Sequence, residues 1–103
     1  MIFFGIISSK KDFDIMKKEL EKSLKNVNLI LINENNIENL QNIKFEALII
    51  NDELHIKESN IMFFQKICEN LKYLIINSDR NNFLDILNNN RLCVITYGLN
   101  HKC

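Results

Sequence analysis

Five short apolar runs, separated by amphipathic or polar chain, constrain this sequence more than any other feature. Residues 2–7 (IFFGII), 27–32 (VNLILI), 47–50 (ALII), 73–76 (YLII) and 92–97 (LCVITY) are each almost continuously apolar. A strand with one wet face alternates polar and apolar residues, whereas an uninterrupted apolar strand is covered on both faces. The intervening stretches carry helical spacing instead. Residues 10–25 place Phe13, Met16, Leu20 and Leu24 on one face, and Ser9 with Asp12 three residues on resembles a capping box with Asp in place of Glu or Gln. Residues 36–43 space Ile37, Leu40 and Ile43 three apart, which predicts a two-turn helix. Residues 57–71 align Ile61, Phe64, Cys68 and Leu71, and residues 81–89 form a short helical pattern on Phe83, Leu84, Ile86 and Leu87.

Covered strands alternating with helices are the mark of βαβ units in a parallel sheet. The expectation is a single α/β domain over residues 1–103: a three-layer α/β/α sandwich with about five mostly parallel strands, flavodoxin/Rossmann-like. Its expected strand order is 2-1-3-4-5, with 3-2-1-4-5 as the alternative. Right-handed crossovers distribute the helices over both sheet faces. No helical pattern follows the fifth strand, so part of one face or one edge should lack a cover. An uncovered apolar face implies self-association or a protein partner; the alternative is a shortened version of a longer chain.

Composition excludes several classes. Thirteen basic and 13 acidic side chains give a formal net charge of +0. There is no basic excess to neutralise nucleic-acid phosphates or to hold an anionic membrane surface. No run approaches the roughly 18 apolar residues of a membrane span. The opening MIFFGIISSKK puts its apolar run before its charges, the reverse of a secretory signal, so the cytoplasm is the expected location. Three cysteines without paired spacing do not read as a disulfide framework. Cys68 and Cys93 read as core thiols, and Cys93, His101 and Cys103 are too scattered for a metal site, which leaves a buried thiol and a frayed tail. His55 reads as a solvated loop residue. Phe3, Phe4, Phe63 and Phe64 lie within apolar elements without interleaved basic residues, which reads as core rather than a base-stacking platform. Lys10, Lys11, Lys17, Lys18, Lys22 and Lys25 are interrupted by Asp12, Asp14, Glu19 and Glu21, the pattern of a solvated helix face. The asparagine runs read as surface and turn residues.

Ligands of open parallel sheets sit beyond the carboxyl ends of the strands. Those ends carry Ser8-Ser9-Lys10-Lys11-Asp12, Asn33-Glu34-Asn35-Asn36, Asn51-Asp52-Glu53-Leu54-His55, Asn77-Ser78-Asp79-Arg80 and Gly98-Leu99-Asn100-His101-Lys102. No GxGxxG occurs, Gly5 lies inside the first strand rather than after it, and no GxxxxGK[ST] loop occurs. The usual dinucleotide and phosphate-loop chemistries therefore have no foothold. No cofactor, metal or catalytic residue is expected.

Residues 74–98 read LIINSD, a helical spacer, then RLCVITYG. This stretch, roughly a quarter of the chain, resembles the later half of the central domain of the Mur ligases, the ATP-dependent amide-bond ligases of peptidoglycan synthesis. In that family one strand ends in an Asn-x-Asp-Asp turn and the next in a Thr-Phe/Tyr-Gly-like sequence. Asn77 and Asp79 match the turn, Arg80 replaces its second Asp, and Thr96, Tyr97 and Gly98 match the second signature. The whole-chain pattern also resembles short bacterial proteins related to those ligases. In the ligases the turn Asn lies near the adenine, so the resemblance implies that Asn77 lies near a ligand; Asp79, in the same turn, is the other candidate ligand-binding residue. The phosphate loop has no counterpart, and only Asp52-x-x-His55 stands where the family has an Asp-His pair. What it implies is thus a non-catalytic interaction or regulatory module. The same Asn77 and Asp79 also read as caps of the following helix. Two other readings stay open: a small-molecule or nucleotide binder using the strand-end crevice, and a phosphorylation-incompetent pseudo-receiver with Asp52, Ser78 and Lys102 but Ser8 and Ser9 in place of the acidic pair.

Overall fold

In this computed structural model, residues 2–51, 57–76, 92–96 and 101–102 are described. The first apolar run forms β1 (Ile2–Ile7) and leads through Ser9 into α1 (Lys10–Ser23). The Ser9 hydroxyl accepts from the backbone N–H of Asp12 at 3.2 Å, the N-terminal cap that the Ser-x-x-Asp spacing anticipates. Leu24 leaves the helix in extended geometry and Asn26 adopts φ 66°, a left-handed conformation that asparagine tolerates better than most residues. That ends α1 before Lys25 and turns the chain into β2 (Val27–Leu31).

After β2 the asparagines do more than fill a surface. The Asn33 side-chain oxygen accepts from the backbone N–H groups of Asn35 and Asn36, at 2.9 and 3.1 Å. The Asn36 side chain in turn accepts from Asn33 N–H at 2.8 Å and donates to the Leu31 carbonyl at 2.7 Å. Side chains that satisfy backbone groups in this way compete with helix formation. Accordingly α2 is a single turn, Ile37–Leu40, rather than two turns. β3 (Phe45–Ile50) follows, then a 3₁₀ turn (Glu58–Asn60), α3 (Ile61–Cys68), β4 (Tyr73–Ile76), β5 (Cys93–Thr96) and β6 (His101–Lys102). The helix expected at 81–89 lies outside the described residues.

The strands form one sheet in the order β2-β1-β3-β4-β5-β6. The first five are parallel in the expected 2-1-3-4-5 order, which makes this a small Rossmann/flavodoxin-like α/β fold. β6 corrects the expectation of a frayed tail, because it pairs antiparallel with β5 through Val94↔Lys102 and Ile95↔His101. A pairing of two residues has no periodicity to read in a sequence.

Neighbouring residues of a strand point to opposite faces. Leu48 and Ile50 therefore enter one apolar cluster, with Ile37 of α2 and Phe64, Ile67 and Cys68 of α3. Ile49 enters the other, with Ile6 and Phe13 of α1. Among the described residues no polar or charged side chain is buried.

Cys68 is 1% exposed, and burial pushes its thiol up to about 12. The core accommodates the neutral thiol only. The stability this contributes is fully present below pH 9.0, the ordinary value, and falls as pH rises toward about 12. Native protein at pH 8 should leave Cys68 unmodified by iodoacetamide, with alkylation following urea unfolding, as read by peptide mass spectrometry. Alkylation of the folded protein at a free-thiol rate would contradict this burial. Cys93 is a core residue, as its place within a strand predicts, but it is disulfide-bonded rather than a free thiol, which corrects that part of the reading. Cys103 lies outside the described residues.

Candidate functional site

The chain leaves β1 for β2 on one side and then crosses back past β1 to β3. Between β1 and β3 the outgoing connections therefore diverge, and this topological switch point is where an open parallel sheet forms its crevice. Ser8 and Ser9 enter it from the end of β1, and Asn51 enters it from the end of β3. Backbone pairing continues to the rim, with Asn51 N–H donating to the Ile7 carbonyl at 3.0 Å.

Asp12 ties the two sides together. It occupies the third position of α1, where the helix dipole favours an anion. The Asn51 side-chain amide donates to its carboxylate at 3.3 Å, in partly buried surroundings and across 39 residues of sequence. Lys57 pairs with Glu34 at 3.0 Å and links the turn after β2 to the segment before α3. Hydroxyls, one carboxylate and one amide can hold a polar ligand by hydrogen bonds. Among the described residues no group of three or more His, Cys, Asp or Glu side chains could hold a metal ion.

Most of the sequence-derived site falls elsewhere. Asn77 follows directly on Ile76, the last residue of β4, and Asp79 comes two residues later; both lie outside the described residues, as do Asp52, His55, Ser78, Tyr97 and Gly98. Thr96 ends β5. Lys102 is placed by register: Leu48 pairs with Leu74, Leu74 with Val94, and Val94 with Lys102. Its backbone thus lies three strand spacings from β3, about 14 Å, and level with Leu48 rather than with the carboxyl rim. A receiver-type lysine belongs at that rim, so the pseudo-receiver reading loses its lysine.

Sequence reading named Asp12 and Asn51 as strand-end residues but did not pair them; only the strand order could have done so. Two clefts, of about 320 and 200 Å³, run along α3 and the α2–β3 connection, and neither Asp12 nor Asn51 is among their described lining residues. At the switch point, by contrast, β1, α1 and the end of β3 converge. Among the described residues no helix is long and apolar enough to cross a membrane. No family model matches the chain, and no curated protein or solved structure is significantly similar to it.

Proposed function

We propose that this chain is a non-catalytic α/β interaction module, distantly similar to the Mur ligase central domain, that associates with a second copy of itself through its sheet. The observation that supports this reading is the incomplete cover on the α1 side. Among the described residues α1 is the one helix packed there, in the cluster of Ile6, Phe13 and Ile49. Farther along the sheet, Tyr73 is 44% exposed, and Ile75 and Ile95 are only half-buried. Apolar strand residues left partly wet gain by being covered. The Mur-like segments lend limited support, since they would leave β4 and β5, adjacent parallel strands, at the same rim. Sedimentation velocity over a hundredfold concentration range should show a dimer that Tyr73→Glu disperses. A strictly monomeric profile at the highest concentration would sink the proposal.

A second reading, a small-molecule binder at the switch point, is favoured by the Asp12–Asn51 bridge between α1 and the end of β3. A thermal-shift panel of nucleotides and UDP-sugars tests it. A ligand at 100 times its Kd stabilises by about 2.7 kcal/mol, an effect easily resolved, and Asn51→Ala should abolish it. If no compound in the panel raises the melting temperature, this reading should be dropped.

A further inference from the structure

Cys93 is disulfide-bonded, and Cys68 is a free thiol. The chain has 3 cysteines, so the bond of Cys93 closes on Cys103. The strand register leads to the same pair. β5 and β6 run antiparallel through Ile95↔His101 and Val94↔Lys102. Partners in such a ladder step in opposite directions, and the next step sets residue 93 opposite residue 103. Cys93 N–H donates to the Lys72 carbonyl at 3.0 Å, on the β4 side. In a strand the N–H and C=O of one residue point to the same side, and successive residues alternate. Cys93 therefore turns no backbone hydrogen bond toward β6. Facing residues at such a position stand about 4.5 Å apart at Cα, and a disulfide spans Cα separations of about 4.4–6.8 Å. By the same alternation Val94, not Ile95, turns its N–H and C=O to β6. Of the two described pairs, Val94 with Lys102 is thus the hydrogen-bonded one.

We infer that the Cys93–Cys103 bond is a redox-sensitive clasp that holds β6 over the edge of β5. So short a ladder does not hold itself in water. The cross-link keeps β6 beside β5 by denying the chain its open conformations. Opening takes two electrons from a dithiol reductant. One thiolate of the reductant attacks a sulfur of the clasp, and the other sulfur leaves as a thiolate and takes up a proton. The second thiolate of the reductant then displaces the first sulfur, which takes up a proton in turn. The reductant ends as a disulfide, and Cys93 and Cys103 end as thiols. β6 then separates, and the N–H and carbonyl of Val94 face water as an open sheet edge. The parallel ladders from β2 to β4 do not involve β6 and stay as they are.

The bond is tested first. After equilibration with oxidised glutathione, the full chain is unfolded in urea without reductant and treated with iodoacetamide. Cys68 alone should be alkylated, and chymotrypsin, cutting after Tyr97, should leave Cys93 linked to the segment that carries Cys103. Alkylation of Cys93 or Cys103, or a bond from Cys93 to a second chain, would overturn the clasp. Amide hydrogen exchange followed by NMR then reads its opening. Reduction with dithiothreitol should speed exchange of the Val94 N–H by about tenfold or more. The Ile95 N–H, which faces β4, and the amides of β1 and β3 should keep their rates. Cys103→Ser should give the reduced pattern with or without dithiothreitol. Equal exchange at Val94 in the oxidised and reduced chain would mean that β6 stays without the bond. Acceleration throughout the sheet would make the bond a staple of the whole domain rather than a local clasp. Either result overturns the proposal.

Discussion

Phe64→Ala should destabilise this protein by about 3–5 kcal/mol, the range for truncating a fully buried aromatic. Phe64 is 1% exposed on α3 and shares its cluster with Leu48 and Ile50 of β3 and Leu74 and Ile76 of β4. The strands beneath are held in register by Leu48↔Leu74 and Ile50↔Ile76, which limits how far they can close over the space. A domain of this size has about 5–15 kcal/mol in total, so the variant should sit near the edge of folding. Urea unfolding should show a large fall in midpoint with little change in slope. Met62, two residues away and 78% exposed, is the control, and Met62→Ala should stay within about 0.5 kcal/mol. If Phe64→Ala left stability unchanged, the ring would not be the core residue that its helical spacing indicates.

That spacing shows which parts of this molecule a sequence can disclose. The apolar runs place β1 and β4 to the residue and the other three parallel strands within two residues, because burial on both faces leaves a chemical trace in every residue. β3 begins earlier than its apolar run, at Phe45, because Glu46 interrupts the run without interrupting the strand. The register shifts there, between Phe3↔Phe45 and Phe4↔Ala47, and Glu46 pairs with Lys72 at 2.9 Å just before β4. A charged residue at the mouth of a sheet thus reads as a loop although it is strand. The Asn33–Asn36 turn escaped for a related reason: the composition is visible, but the reciprocal hydrogen bonds that shorten α2 depend on geometry. The site was least legible. Asp12 and Asn51 meet only because β1 and β3 are neighbours, so their pairing is a property of strand order and not of local sequence.

Gly5→Val should cost about 3 kcal/mol, and the reason is space rather than backbone conformation. Glycine inside a strand is ordinarily a weakness, and replacing it where room exists stabilises. Here a Cβ on residue 5 would lie 2.5 Å from Ile32 Cδ1, 2.8 Å from Leu48 Cδ1 and 3.4 Å from Phe45 Cδ1. Two of these distances are shorter than carbon atoms tolerate, and Ile32 and Leu48 are themselves only 2% and 0% exposed. The clashing atoms are side-chain ends, so alanine can be admitted by rotamer changes at about 1 kcal/mol, whereas the branched valine forces displacement in a filled core. The double variant Gly5→Ala/Ile32→Val separates this from any general intolerance of β1. Removing the Ile32 Cδ1 removes the shortest contact, so the double variant should be more stable than the sum of the single effects, with a coupling of about 0.5–1 kcal/mol. Strict additivity in chemical denaturation would mean that Ile32 does not press on Gly5. β1 is an interior strand, next to the edge strand β2 and paired on its other side with β3, and its far end delivers Ser8 and Ser9 to the switch point. The strand that admits no more than a methyl group at residue 5 is therefore also the one that carries those hydroxyls toward Asn51.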